Sequence, residues 1–416
     1  MRGGDTAWML SATALVLFMT PGLAFFYGGM VRSKHMLGML MQNFFAMGLL
    51  GVLWVIVVFS LAFGGAGNGG VIGNFDHVGM RHVAQSASVL APTIPFILFA
   101  AYQMTFAIIT PALITGATAD RLKFSAYAVF IGLWLVLVYA PVAHSVFGGG
   151  WLARRGALDF AGGAVVHINA GSAALAVLLV IGARRGHGRE PMPPHSLPWT
   201  LIGTGILWFG WAGFNGGSAL AANGVAAQAL MNTFVAASAA MLGWLLIERI
   251  RGGHATTLGG ASGAVAGLVA ITPCAGFVTT MPALFIGFTV GIICYLALSL
   301  KARFKFDDAL DVIAVHLVGG LYGSIVLGLF ADHAVNPVVR HEGLLLGGGV
   351  RLLGEQVLAS GSTFAFSFVV SWLLAVAVDR VIGLRISPAQ EDEGMDLALH
   401  AETAYAFGDF GSTRRG

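Results

Sequence analysis

The sequence predicts an all-α, polytopic membrane protein, and three observations carry that expectation. Of its 416 residues 57% are hydrophobic and only 10% charged, with a mean hydropathy of +0.83; a soluble domain carries about 25% charged residues. The chain divides into eleven mostly apolar runs, and a span needs roughly 20 such residues. One polar motif occurs inside these runs twice, once in each half of the chain. The net charge of +3 gives no argument for a nucleic-acid partner.

In order, the runs cover residues 7–29, 37–63, 92–117, 124–141 and 161–183, then 199–219, 225–247, 257–274, 281–300 and 312–331, with 360–381 standing apart. The polar start from Met1 to Asp5 leads into a run long enough to span, so it does not read as a secretory signal. Five runs precede the break at Pro191–Pro194 and five follow it, which gives two halves of opposite orientation, about 7–190 and 199–331. Inverted repeats place a substrate site near the midplane, between the halves. The eleventh run is expected to brace the pair. Residues 1–383 then form a transmembrane transporter domain, and 384–416 a cytoplasmic tail that docks or regulates. The 59 glycines suit close packing of helices in a membrane. Cys274 and Cys294 lie in or beside apolar runs without metal-ligand spacing, and are expected to be small buried hydrophobes. No cofactor or metal is expected.

Basic residues set the orientation. Sixteen of the 22 Lys and Arg fall on one set of loops together with the C-terminal end, which places the N-terminus outside and the C-terminus inside. Arg154 and Arg155 lie on the opposite side and break the rule locally.

The repeated motif is Asp159-Phe160-Ala161-Gly162-Gly163-Ala164-Val165-Val166-His167, with its shorter echo Asp311-Val312-Ile313-Ala314-Val315-His316; Ala-Leu precedes both aspartates. A histidine inside a hydrocarbon-length run is costly and needs a partner or a water-lined cavity. Two of them in matching places suggest one shared site, with neutral imidazoles that share a hydrogen bond, line a path for a small polar molecule and relay a proton. Two unrelated core histidines, or axial haem ligation, are the alternatives. Hydropathy places His167 about 9 Å inside the outer boundary at ~1.5 Å per residue, and His316 about as far from the inner one. The rings would then meet only if both spans began earlier than drawn. Asp159 and Asp311 suit helix N-termini, and Asp159, on the outer side, could also aid cation binding. Phe106 lies in the third run, Phe147 just outside the fourth, and Trp211, Phe214 and Ser218 at the end of the sixth, and the Phe147 and Ser218 ends are expected to face outside. Aromatic faces attract a desolvated cation, and a serine oxygen accepts one of its hydrogens.

These stretches resemble the Amt/Mep/Rh ammonium transporter family, and closely its bacterial Amt branch. The similarity runs nearly end to end, through Pro21 to Gly29, Asp159 to Asn169, Gly210 to Ser218, Asp311 to His316, Gly383-Leu384-Arg385 and Glu402 to Tyr405. It implies eleven spans, a homotrimer with one pore per subunit, and a bacterial inner-membrane protein, not an enzyme. It implies transport of ammonium or ammonia, and opens the question of methylammonium. By matching position, Phe106 and Phe214 would be the aromatic gate. Ser218, Phe106, Phe147 and Trp211 would form the outer ammonium site, supported by Asp159, and His167 and His316 would be the twin histidines of the pore. A cytoplasmic PII-type regulatory protein is an implied partner. The family commonly carries tryptophan where this chain has Phe147, a weaker cation–π partner, and glutamate where it has Asp120. An ammonium-sensing receptor on the same fold remains the alternative function.

Overall fold

The computed structural model describes residues 1–65 and 69–405, and within them the chain is helical; the end of the tail, 406–416, lies outside the described residues. Eleven long helices follow the eleven runs: α1 (Gly3–Met30), α2 (Ser33–Phe63), α3 (Phe96–Thr118), α4 (124–146), α5 (Gly163–Ile181), α6 (Leu197–Gly216), α7 (Gly224–Gly252), α8 (Thr257–Ile271), α9 (Thr280–Ala297), α10 (Ile313–Phe330) and α11 (Arg351–Val381). Among the described residues nine helical segments are long and apolar enough to cross a membrane. The sixth and eighth expected spans correspond to α6, of 20 residues, and the shorter α8, of 15.

The first helices of the two expected halves, α1 and α6, lie along each other, while α7 packs on α8 and α9, and α11 lies across α5. Several buried polar side chains find their partners on a neighbouring helix, which offsets the cost of placing them in an apolar interior. Trp54 Nε1 donates to the Ala100 carbonyl at 3.0 Å, Trp134 Nε1 to Ser371 Oγ at 2.8 Å, and Asn232 Nδ2 to the carbonyls of Ala275 and Val278. Cys274 and Cys294 are buried and free.

The eleventh helix starts nine residues before the apolar run that announces it, at Arg351 rather than 360. Hydropathy discounts the polar Gln356, yet this side chain is buried. Its Oε1 accepts the Leu158 N–H, and its Nε2 donates to the Leu158 and Ser324 carbonyls.

The tail folds back on the loops expected to be cytoplasmic. Two short helices, α12 (Pro388–Glu393) and α13 (Met395–His400), bury Glu391, Met395 and Asp396. Asp396 Oδ1 accepts the Gly38 N–H, Glu391 takes Arg385 and the Arg185 N–H, and Tyr405 meets His195 Nε2 at 2.8 Å. Beneath it the buried Asp307 receives two bonds from the Arg184 guanidinium, both at 2.9 Å, with Arg121 at 3.9 Å. Asp120 reaches Arg32 at 3.1 Å and Arg184 at 3.6 Å.

Candidate functional site

The site is built where α5 and α10 begin. Both helices open on a π-helical turn, Gly163–Ile168 in α5 and Ile313–Val318 in α10, and each turn carries one histidine. Such turns are rare and concentrate at functional positions. His167 and His316 are buried, and their Nδ1 atoms lie 3.2 Å apart with the rings nearly parallel, 5.3 Å between centroids. One nitrogen must therefore donate and the other accept. An axial haem pair would hold an iron between the nitrogens; here they touch each other.

The rings meet for a reason that hydropathy did not supply. Neither helix begins early: α5 starts at Gly163, later than the run drawn at 161, and α10 starts no earlier than the run drawn at 312. The chain leading into each helix is itself inside the protein, with Ala161 and Asp308 both at 1% exposure. Non-helical backbone is tolerated at membrane depth when protein buries it and its N–H groups find partners. At the start of α5 Asp159 supplies them. Its Oδ1 accepts from Gly162 and Gly163 at 2.9 and 2.6 Å, its Oδ2 from Ala164 and Val165 at 2.9 and 3.1 Å. At the start of α10 the carboxylate in this place is Asp308, not Asp311. Asp308 Oδ2 accepts the Ile313 N–H at 2.7 Å, while Asp311 turns outward to Lys301. The reason is register: Asp308 precedes His316 by eight residues, as Asp159 precedes His167, and Asp311 by five.

Two glycines let the histidine helices close. Gly171 and Gly320 each follow their histidine by four residues, one turn on. A Cβ on Gly171 would sit 2.6 Å from Leu317 Cβ, and one on Gly320 3.0 Å from His167 Cβ.

From the pair a row of rings leads toward the end expected to face outside. Trp211 stacks on His167 at 5.6 Å, Phe214 lies 6.1 Å from His167 and 4.4 Å from Phe106, and Tyr102 meets Phe106 edge-on at 5.0 Å. Trp211 Nε1 donates to Thr272 Oγ1, which fixes the indole plane. Tyr102 lies against the end of α6, its hydroxyl 2.8 Å from the carbonyls of both Gly213 and Phe214 and 3.3 Å from Ser218 Oγ. Ser218 is half-buried in the short turn after α6, its hydroxyl donating to the Phe214 carbonyl. Phe147 caps the end of α4 and is half-buried; among the described residues no ring pair joins it to Phe106, Trp211 or Phe214. Both oxygens of Asp159 are occupied by backbone N–H groups, so its observed contacts are with the turn that opens α5.

A cavity of about 10 Å³ lies beside the pair, lined by His167, His316, Trp211 and Phe214 and by aliphatic side chains such as Leu23 and Val265. That is room for about one water-sized guest. The Trp211 N–H is already engaged by Thr272, which leaves the two imidazoles to meet a polar guest. Most of the lining residues carry no mark in the sequence, because an apolar residue in an apolar span looks the same whether it faces a conduit, a neighbouring helix or lipid. Nor does the sequence assign a role to Tyr102, although its hydroxyl joins α3 to the serine turn.

Fold and site together define a multi-pass membrane protein whose core holds one buried histidine pair beside a small, mostly apolar cavity. The family model described as Ammonium Transporter Family matches residues 7–405, and the chain belongs to that family. It is 50% identical to an ammonium transporter of Mycobacterium bovis, over 97% of this chain and 91% of that one. It is 46% identical to ammonium transporter Amt1 of Archaeoglobus fulgidus, over 97% and 100%. Among solved structures it is similar to Saccharomyces cerevisiae Mep2, with a TM-score of 0.87 and 35% identity over 94% of this chain and 88% of that one. It is also similar to a chain described as Sensor Amt Protein, with a TM-score of 0.87 and 28% identity over 95% and 98%.

Proposed function

We propose that the protein moves ammonium across a bacterial inner membrane by taking the ion apart. Ammonium is desolvated at the outer site of Ser218, Phe106, Phe147 and Trp211, with the Asp159 charge favouring its approach. It gives up a proton there, and neutral ammonia crosses the Phe106–Phe214 gate and passes the histidines. The proton follows along the imidazole pair. An apolar conduit penalises any intact ion heavily. Potassium is similar in size but has no proton to lose, so it is refused without a size filter.

The observation that carries this reading is the contact of His167 and His316 at 3.2 Å beside a cavity fit for one small molecule. The wider architecture fits around it: eleven spans as two inverted repeats of about 7–190 and 199–331 plus α11, N-terminus outside, C-terminus inside, assembled as a homotrimer. The docked tail and its loops would form the surface for a cytoplasmic PII-type protein. Methylammonium, larger by one carbon, would have to widen the gate.

The test replaces His167 and His316 together by alanine and records ammonium-evoked current in proteoliposomes on a solid-supported membrane, with potassium as control. Loss of current, or admission of potassium, is expected; unchanged, potassium-excluding transport refutes the scheme. The similarity to a chain described as Sensor Amt Protein supports a second reading, an ammonium receptor, which wild-type protein that binds ammonium but passes no current would favour.

A further inference from the structure

We propose that Asp308 is a positioning residue for conduction: it holds the turn that aims His316 at His167, as the inner counterpart of Asp159. The inference rests on the histidine-pair reading above and adds a residue which the sequence motif hid.

Three observations carry it. The spacing to the histidine is the same, eight residues, from Asp159 and from Asp308. The geometry is the same: each carboxylate accepts from the first residues of a π-helical turn that contains the histidine, Ile313 in the case of Asp308. And Asp308 is 1% exposed, so its carboxylate sits where an unneeded acid would be costly. Its surroundings hold it in place. The next residue, Ala309, donates its N–H to the Ala117 carbonyl at the end of α3, and Lys301 Nζ lies 3.4 Å from the Asp308 carbonyl. Lys301 also pairs with Asp311, whose φ of +63° marks the sharp turn between the carboxylate and the helix. Asp tolerates that conformation better than most residues.

The two caps differ in one respect. Asp159 uses both oxygens, whereas Asp308 Oδ1 is buried and has no protein partner among the described residues. The inner turn therefore hangs on the other oxygen, and loss of one acceptor frees the N–H group where the histidine turn starts.

Asp308→Ala removes the acceptor, and Asp308→Asn keeps one, its amide oxygen. Ammonium-evoked current is recorded against ammonium concentration and normalised to protein in the liposomes. D308A is expected to lose about tenfold or more of its saturating current, the scale on which misplacement by ~1 Å acts. Its half-saturating concentration should stay unchanged because the outer site is intact. D308N should stay within about threefold of wild type, since its acceptor still fixes the turn. A structure of D308A should show the Nδ1–Nδ1 contact broken. Should D308A fail to reach the membrane, Asp308→Ser, too short to reach Ile313, takes its place. The assignment is overturned if D308A conducts like wild type, if D308N is as impaired as D308A, or if the imidazole contact survives in an inactive D308A. Failure of the conduction reading itself would look different: the double histidine variant would conduct normally and still exclude potassium.

Discussion

Alanine at Gly171 tests whether the distance between α5 and α10 controls conduction. The added Cβ would lie 2.6 Å from Leu317 Cβ and 2.7 Å from Leu317 Cα and N. Ordinary carbon contacts lie near 3.5–4.0 Å, so the helices must part by about 1 Å. The imidazole contact of 3.2 Å would stretch to roughly 4 Å, beyond hydrogen-bonding range. Gly320→Ala provides the internal control. Its Cβ would meet His167 Cβ at 3.0 Å, the Ile168 nitrogen at 3.1 Å and the Gly163 carbonyl oxygen at 3.2 Å. A shift of a few tenths of an ångström relieves those contacts and leaves the pair near its limit. Both changes raise helix propensity by about 1 kcal/mol, so that term cancels in the comparison. Overpacking of this kind costs about 1–3 kcal/mol, which a stable bundle survives. In the solid-supported-membrane assay, G171A is expected to lose about tenfold or more of its ammonium current, and G320A less than about threefold. Equal currents from the two variants and wild type would refute the link between helix spacing and transport.

Two further outcomes are expected. Tyr102→Phe removes a hydroxyl whose bonds order the serine turn; a net bond of about 0.5–1.5 kcal/mol corresponds to a half-saturating ammonium concentration raised roughly two- to tenfold, read from the current–concentration curve. Asp307→Asn breaks the buried cluster beneath the tail. Burial alone would raise the Asp307 pKa, but hydrogen bonds from Arg184 and the nearby Arg121 charge prevail and lower it from the usual 3.8 to about 2. A depressed carboxylate contributes stability that is complete above the unfolded pKa and disappears as pH falls through the folded one. D307N should therefore be less stable at pH 7 by about 3–5 kcal/mol, and its deficit in thermal denaturation should shrink between about pH 4 and pH 2. A deficit independent of pH would contradict the assignment.

The runs that became helices were legible because burial in a membrane leaves a long apolar signature, and the histidines because they interrupt it. What hydropathy could not show was where helices start. It measures how apolar a segment is, whereas the helices carrying His167 and His316 begin at the place where a carboxylate takes up free N–H groups inside the protein. Gln356 misled in the same way at α11, its polarity cancelled by three hydrogen bonds. The cavity walls left no trace at all, since Leu23 or Val265 would be apolar in any of their possible surroundings.

Asp311 misleads for a reason that also shows what the sequence does contain. Matching the two halves by neighbouring letters, Ala-Leu before an aspartate, selects the wrong residue, because those neighbours do not set the distance from the carboxylate to the histidine. Matching them by distance from the histidine selects Asp308, and extending the same count forward selects Gly171 and Gly320. Each half then reads as carboxylate, eight residues to the histidine, and four more to a glycine. The carboxylate starts the turn, the turn presents the ring, and the glycine lets the partner helix approach. Two halves of one chain that share those three devices bring their rings to a common point, and that is how a histidine near the start of each helix becomes one pair.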